Sequence, residues 1–175
     1  SIALVLTDGR ILSAGGGYCD NNPTCNGATH KDAQVYSPPY LFNASGNLAT
    51  RPVISSGDSL IVSGAEFNVQ ATPGMQKFSL VKMSSTTHGM NTDARFINVT
   101  FTEVTPGNYE LHAHNNPNVL TPGYWMLFAL NANGVPSKAH VVRANSGSGL
   151  PWINSPDNQA TAIGSSVNLQ MVGGD

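Results

Sequence analysis

"LTPGYWMLFALNANGVPS", residues 120–137, holds the apolar run Tyr124–Leu130 between two turn signals, Pro122-Gly123 and Asn131-Ala132-Asn133-Gly134. A short run that is apolar on both faces, bounded by turn residues, reads as a strand at the centre of a sheet. Outward from it the pattern becomes strict alternation. "EFNVQA" (66–71) sets Phe67, Val69 and Ala71 on one face, "FINVTF" (96–101) sets Ile97, Val99 and Phe101, and "NYELHA" (108–113) sets Tyr109, Leu111 and Ala113. Period two is the mark of a half-buried strand. "AHVVRA" (139–144) closes the set, and further turn signals stand at 72–74, 105–108 and 115–118. No segment sustains a 3.6-residue period. About seven short strands at this spacing predict an all-β, Ig-like antiparallel β-sandwich. Phe67, Val69, Ile97, Val99, Leu111 and Phe128 are expected inside it. Tyr124, at the start of the central strand, is expected to bond back to upstream backbone as a tyrosine corner does.

Residues 1–42 follow a different logic. "IALVLTDGRILSAGGG" is two apolar runs joined by Thr7-Asp8-Gly9-Arg10. Asp-Gly is a strong hairpin signal because both central residues of such a turn tolerate positive φ. "AQVYSPPYLF" adds a third strand, stopped by Pro38 and Pro39. Three strands alone would leave an apolar edge without a partner, so this segment reads as part of a larger assembly. At the other end, "NSGSGLPWINSPDNQ" has linker composition. The run Val167, Leu169, Met171 beyond it alternates like the first strand of another module.

Composition narrows the function. The chain has 175 residues, of which 10% are charged, and a net charge of −2. This lacks the basic footprint of a nucleic-acid binder and any polybasic membrane patch. No apolar run approaches the roughly 20 residues that span a bilayer. The first ten residues do not read as a signal peptide, having neither a basic region nor a cleavage motif. Cys19 and Cys25 are the only cysteines. Zinc would need more ligands at short spacing, and only His30 lies near. A disulfide closing a tight loop fits the pair better and implies an oxidising compartment. Asn43 and Asn98 head N-x-S/T sequons, which matter in a eukaryotic secretory pathway.

Five segments in order, "SIALVLTDGRILSAGGGYC", "DAQVYSPPYLF", "GNLATRPVI", "THGMNTDARFINV" and "LTPGYWMLFALNANGVPS", resemble the C-terminal region of the copper radical oxidases, the galactose oxidase and glyoxal oxidase family. The resemblance covers about residues 1–144. It implies part of the last kelch propeller blade over 1–42 and an Ig-like sandwich of early-set type over 43–144. A linker over 145–158 and the opening of a further Ig-like module over 159–175 complete the expected organisation. The last of these resembles bacterial Ig-like modules found in tandem in secreted proteins. The glycines Gly15, Gly16 and Gly17 then belong to a blade strand, and Cys19 and Cys25 to the family's disulfide.

In that family copper is held by two tyrosines and two histidines, one tyrosine being cross-linked to a cysteine and carrying a radical. One histidine sits on a loop of the Ig-like domain with the pattern Thr-His-x-x-Asn-Thr-Asp. Here the pattern is Thr87, His88, Gly89, Met90, Asn91, Thr92, Asp93. The resemblance therefore gives His88 the role of a metal ligand. The other ligands lie in family segments upstream of Ser1, a Tyr-His pair directly before the first hairpin and the radical tyrosine beyond it. One imidazole cannot by itself enforce tetragonal Cu(II) geometry. The expectation is a C-terminal portion of a secreted, extracellular oxidase acting on a small alcohol, aldehyde or sugar. It would pack on the upstream kelch propeller and supply one copper ligand. Copper is expected to be absent or weakly bound in this chain, which is expected to be inactive alone. The alternatives are a non-catalytic Ig-like structural or carbohydrate-binding accessory module, and a family member that kept the fold and lost the metal.

No other residue is assigned chemistry. His112 and His114 share one strand face opposite Leu111 and Ala113, and are expected to face solvent. His140 is expected to be structural. Asp58, Glu66, Asp93 and Glu103 lie in turns and strand ends with no glycosidase spacing, and no nucleophile elbow occurs.

Overall fold

The computed structural model describes residues 1–16, 30–83, 86, 88–145, 152–153 and 173–174, with the side chains of 30, 31, 152, 153, 173 and 174 left aside. Cys19, Cys25, Thr87 and nearly all of the expected linker and further module lie outside these residues. The described chain is built of strands, apart from one 3-10 turn at Pro39–Leu41. Among the described residues no helix is long and apolar enough to cross a membrane.

The sandwich is one curled ladder of eight strands: β4 (Ile54–Gly57), β5 (Leu60–Val62), β6 (Glu66–Ala71), β7 (Lys77–Lys82), β8 (Phe96–Thr105), β9 (Asn108–His112), β10 (Gly123–Leu130) and β11 (His140–Asn145). Their spatial order is β4-β6-β9-β8-β7-β10-β11-β5. Strand β8 joins the two layers. Its residues Phe96–Val99 pair with β7, and Thr100–Thr105 pair with β9. Every pairing is antiparallel except β5 with β11, which is parallel. Consecutive strands β4 and β5 thereby lie at opposite ends of the ladder.

The alternation expected from the sequence is what packs. Phe67, Val69, Tyr109 and Leu111 from one layer meet Phe78, Leu80, Ile97, Val99, Trp125, Leu127 and Val142 from the other, all buried. Phe78 makes an edge-on contact with Phe101 at 4.9 Å between centroids and a tilted one with Tyr109 at 5.0 Å. Aromatic pairs in such arrangements add roughly 0.5–1.5 kcal/mol beyond their area. Phe128 is buried, but on the reverse face. Only Trp125, Leu127 and Ala129 of β10 belong to the inter-layer core. Phe128 lines a cleft with Tyr40, Val5, Gly9 and Pro136. Strand β10 is apolar on both faces because the first hairpin covers one of them.

That hairpin consists of β1 (Ile2–Val5) and β2 (Ile11–Gly16), and β3 (His30–Tyr36) pairs with β2 in the order β1-β2-β3. The turn differs from the expected one. Leu6 N–H bonds Arg10 O at 2.8 Å and Gly9 N–H bonds Leu6 O at 2.8 Å. Only Gly9, at φ 79°, is left-handed there. This is a three-residue loop, a type I turn ending in a left-handed glycine, rather than a two-residue turn with positive φ at Asp8. Arg51 ties the hairpin to the sandwich. Its guanidinium donates to Asp8 O at 2.7 Å, to Pro136 O at 2.8 Å and to Ser137 O. Ala139 N–H adds a bond to Thr7 O at 2.8 Å.

Between the two strand-entry tyrosines of the sandwich, it is Tyr109 and not Tyr124 that bonds back to upstream backbone. The Tyr109 hydroxyl accepts Met75 N–H at 3.0 Å and donates to Thr72 O at 3.0 Å. Tyr124 points outward and is 58% exposed. Both tyrosines begin strands after a Gly-containing turn, so the sequence around them does not separate the two.

Candidate functional site

The loop between β7 and β8 carries His88. His88 is exposed, and at φ 54° it is the one non-glycine residue with positive φ among the described residues. Gly89 follows at φ 77°, so two successive residues are left-handed, as in the central pair of a type I′ turn. A residue with a Cβ costs roughly 1–2 kcal/mol in this region. Gly or Asn would fill the position with less strain, which separates local stability from whatever keeps an imidazole there. A Cβ built on Gly89 would lie 3.7 Å from the Ser1 carbonyl oxygen. The His88 turn therefore stands beside the start of β1.

The neck of the loop is held firmly. Lys82, at the end of β7, has its side chain 5% exposed, with Nζ 3.9 Å from the Asp93 carboxylate. Nζ also donates to Thr121 Oγ1 at 2.9 Å, to Thr121 O at 3.3 Å and to Pro122 O. The ammonium sits 5.2 Å from the Trp125 ring centroid. Burial pushes the Lys82 pKa below the usual lysine value and Arg95 adds to this, while Asp93 opposes it. Asp93 N–H bonds Asn91 Oδ1 at 3.3 Å, and Arg95 reaches both Asp93 Oδ1 at 3.5 Å and Asn118 O at 3.2 Å. The Asn91 and Asp93 of the quoted pattern thus shape the loop and fasten it to the end of the sandwich. The sequence offered no sign that Lys82 belonged with them, because its partners lie in a separate turn, 121–122.

Three other histidines have partners within the sandwich. His140 Nε2 lies 3.3 Å from Asp58 O, linking the start of β11 to the turn after β4. His114 Nδ1 accepts Asn116 N–H at 3.0 Å. His112 pairs with Glu66, Nδ1 to Oε1 3.4 Å. The two histidines expected to act as one face therefore have different partners. Among the described residues, His88 joins no group of three or more His, Cys, Asp or Glu ligand atoms. As an exposed imidazole it fits one nitrogen position of a Cu(II) site whose other donors would come from elsewhere.

Residues 51–144 match the model of the galactose oxidase-like, early-set domain family. The chain is 40% identical over 144 residues to a galactose oxidase of Gibberella zeae, covering 82% of this chain and 21% of that protein. It is 30% identical over 159 residues to the aldehyde oxidase GLOX of Vitis pseudoreticulata, covering 82% of this chain and 29% of that one. Among solved structures, a fungal alcohol oxidase of the AA5 family in complex with copper superposes with a TM-score of 0.73 at 38% identity, over 81% of this chain and 30% of that one. The chain spans about a fifth to a third of the length of these relatives. With its sandwich matched over 51–144, the chain belongs to the galactose oxidase-like early-set domain family.

Proposed function

We propose that this chain is the C-terminal portion of a copper radical oxidase and that His88 supplies one of its copper ligands. The observation that carries this is the His88–Gly89 turn: an imidazole held in a left-handed backbone conformation, exposed, and beside the start of β1. In the family that this chain resembles, a Tyr-His ligand pair directly precedes that strand, so ligands from the two segments would converge. The copper, with its tyrosine partner, would supply two-electron oxidation of a primary alcohol or aldehyde coupled to reduction of O₂ to H₂O₂. The residues of this chain do the positioning. Lys82, Asp93 and Arg95 fix the loop neck, so His88 is presented with little further ordering.

Strand β3 is exposed on both faces, with the successive residues Val35 and Tyr36 at 48% and 55% exposure, and this supports a second part of the proposal. Strands β1–β3 would continue into a kelch propeller supplied by the upstream chain, and the parent would be a secreted protein with a Cys19–Cys25 disulfide. A two-hydrogen mass difference between oxidised and reduced protein tests that bond.

The test of function uses the full-length parent. His88→Ala should abolish H₂O₂ production on primary alcohols and aldehydes and change the Cu(II) EPR spectrum while leaving the far-UV CD unchanged. Normal turnover with an unaltered copper signal would overturn the proposal.

A further inference from the structure

A second cluster of ligand-type side chains lies on the outer face of the β6–β9 pair, in the sandwich rather than on the His88 loop. Glu66 and His112 are direct cross-strand partners, and Glu110 stands two residues before His112 on the same face. One ligand atom from each of the three lies within 4.8 Å of the others. Glu66 Oε1 and His112 Nδ1 are 3.4 Å apart. That is about the edge of a tetrahedron with bonds of about 2.1 Å, the Zn–N and Zn–O length.

We infer that Glu66, Glu110 and His112 form a divalent transition-metal site of the His-carboxylate-carboxylate type, completed by water and independent of His88. Two features beyond proximity carry this. The face brings two carboxylates together, and Glu66 is the one of them that pairs with the imidazole. Glu66 and Glu110 are diagonal neighbours, Glu110 standing opposite Asn68, and a dication offsets two carboxylates as a single imidazolium cannot. The second feature is rigidity. On the reverse face of the same strands, Phe67 and Leu111 are register partners buried to 2% and 0% exposure. Side-chain rotation alone then brings the three ligand atoms together, with no backbone rearrangement. Strand β9 also lies inside the ladder, between β6 and β8. Nitrogen and oxygen donors of this kind suit Zn²⁺, and Cu²⁺ competes for them.

Calorimetric titration of the 175-residue chain with Zn²⁺ tests the inference, with Glu66→Gln, Glu110→Gln, His112→Ala, His114→Ala and His88→Ala beside the wild type. The expected result is a single submillimolar site, weakened at least tenfold in the Glu66, Glu110 and His112 variants and unchanged in the His88 and His114 variants. The two Gln variants keep side-chain volume, so they remain informative if His112→Ala alters the fold. Absence of saturable binding, equal affinity in the Glu110→Gln protein, or loss of the site with His88→Ala or His114→Ala would each overturn it. The oxidase proposal is judged separately, by H₂O₂ production in the full-length parent, and survives or fails whatever Zn²⁺ does here.

Discussion

Lys82 and Asp93 face each other at 3.9 Å across the neck of the loop that carries His88. The two partners are unequal. The Lys82 side chain is 5% exposed and Asp93 is 48% exposed. The carboxylate therefore works against a largely solvated background, while the ammonium rests mainly on Thr121 and Pro122.

Lys82→Ala is expected to cost about 1–3 kcal/mol, because it removes part-buried hydrogen bonds to Thr121 and Pro122 and the stem packed near Trp125. Asp93→Asn should cost below about 1 kcal/mol, as half-exposed ion pairs do. Urea denaturation of both variants measures the difference. A larger loss for Asp93→Asn would mean that the ion pair, not the carbonyl cradle, holds the neck.

His88→Gly should leave stability unchanged or raise it by up to about 1 kcal/mol, since glycine carries no Cβ penalty at φ 54°. His88→Val should lower it by about 1–2 kcal/mol, because a β-branched residue is least tolerant of that region. Thermal melts decide. A clear drop on His88→Gly would show that the imidazole itself stabilises the turn.

Arg51 fastens the first hairpin through three backbone carbonyls, Asp8 O, Pro136 O and Ser137 O. Arg51→Ala should cost about 2–3 kcal/mol, the scale of charge-assisted hydrogen bonds. The loss should concentrate at β1–β2. Hydrogen exchange should speed up there more than in β6–β11. Uniform acceleration across the chain would argue that hairpin and sandwich open together.

Glu103 Oε1 accepts Gly107 N–H at 2.9 Å and Gly74 N–H at 3.1 Å, joining two turns. The Gly107 bond, then the Gly74 bond, holds its carboxyl below the usual glutamate range. Its folded-state pKa is thus lower than its unfolded one. The stabilisation is present above the unfolded value of about 4.3 and is lost as pH falls through the folded value. Glu103→Gln should melt earlier than wild type at neutral pH, and the gap should close below about pH 4. A gap that stays constant into acid would show that the carboxylate charge contributes nothing.

The sequence by itself determined the strands and their inward faces. Phe67/Val69, Ile97/Val99 and Tyr109/Leu111 were legible because a pleat alternates sides with period two, so a local pattern reports burial directly. The doubly apolar run 124–130 likewise declared a central strand. The Thr-His-x-x-Asn-Thr-Asp pattern picked out His88 by resemblance. Tertiary structure alone decided what depends on neighbours distant in sequence. It chose Tyr109 over Tyr124 as the tyrosine that bonds upstream backbone, turned Phe128 toward the first hairpin, and seated Lys82 between Asp93 and the 121–122 turn. It also brought Glu66 against Glu110 and His112. The physical reason is the same each time. Periodicity is a property of one strand, whereas a partner across a sheet is chosen by how eight strands jointly bury their apolar faces, and no single segment carries that information.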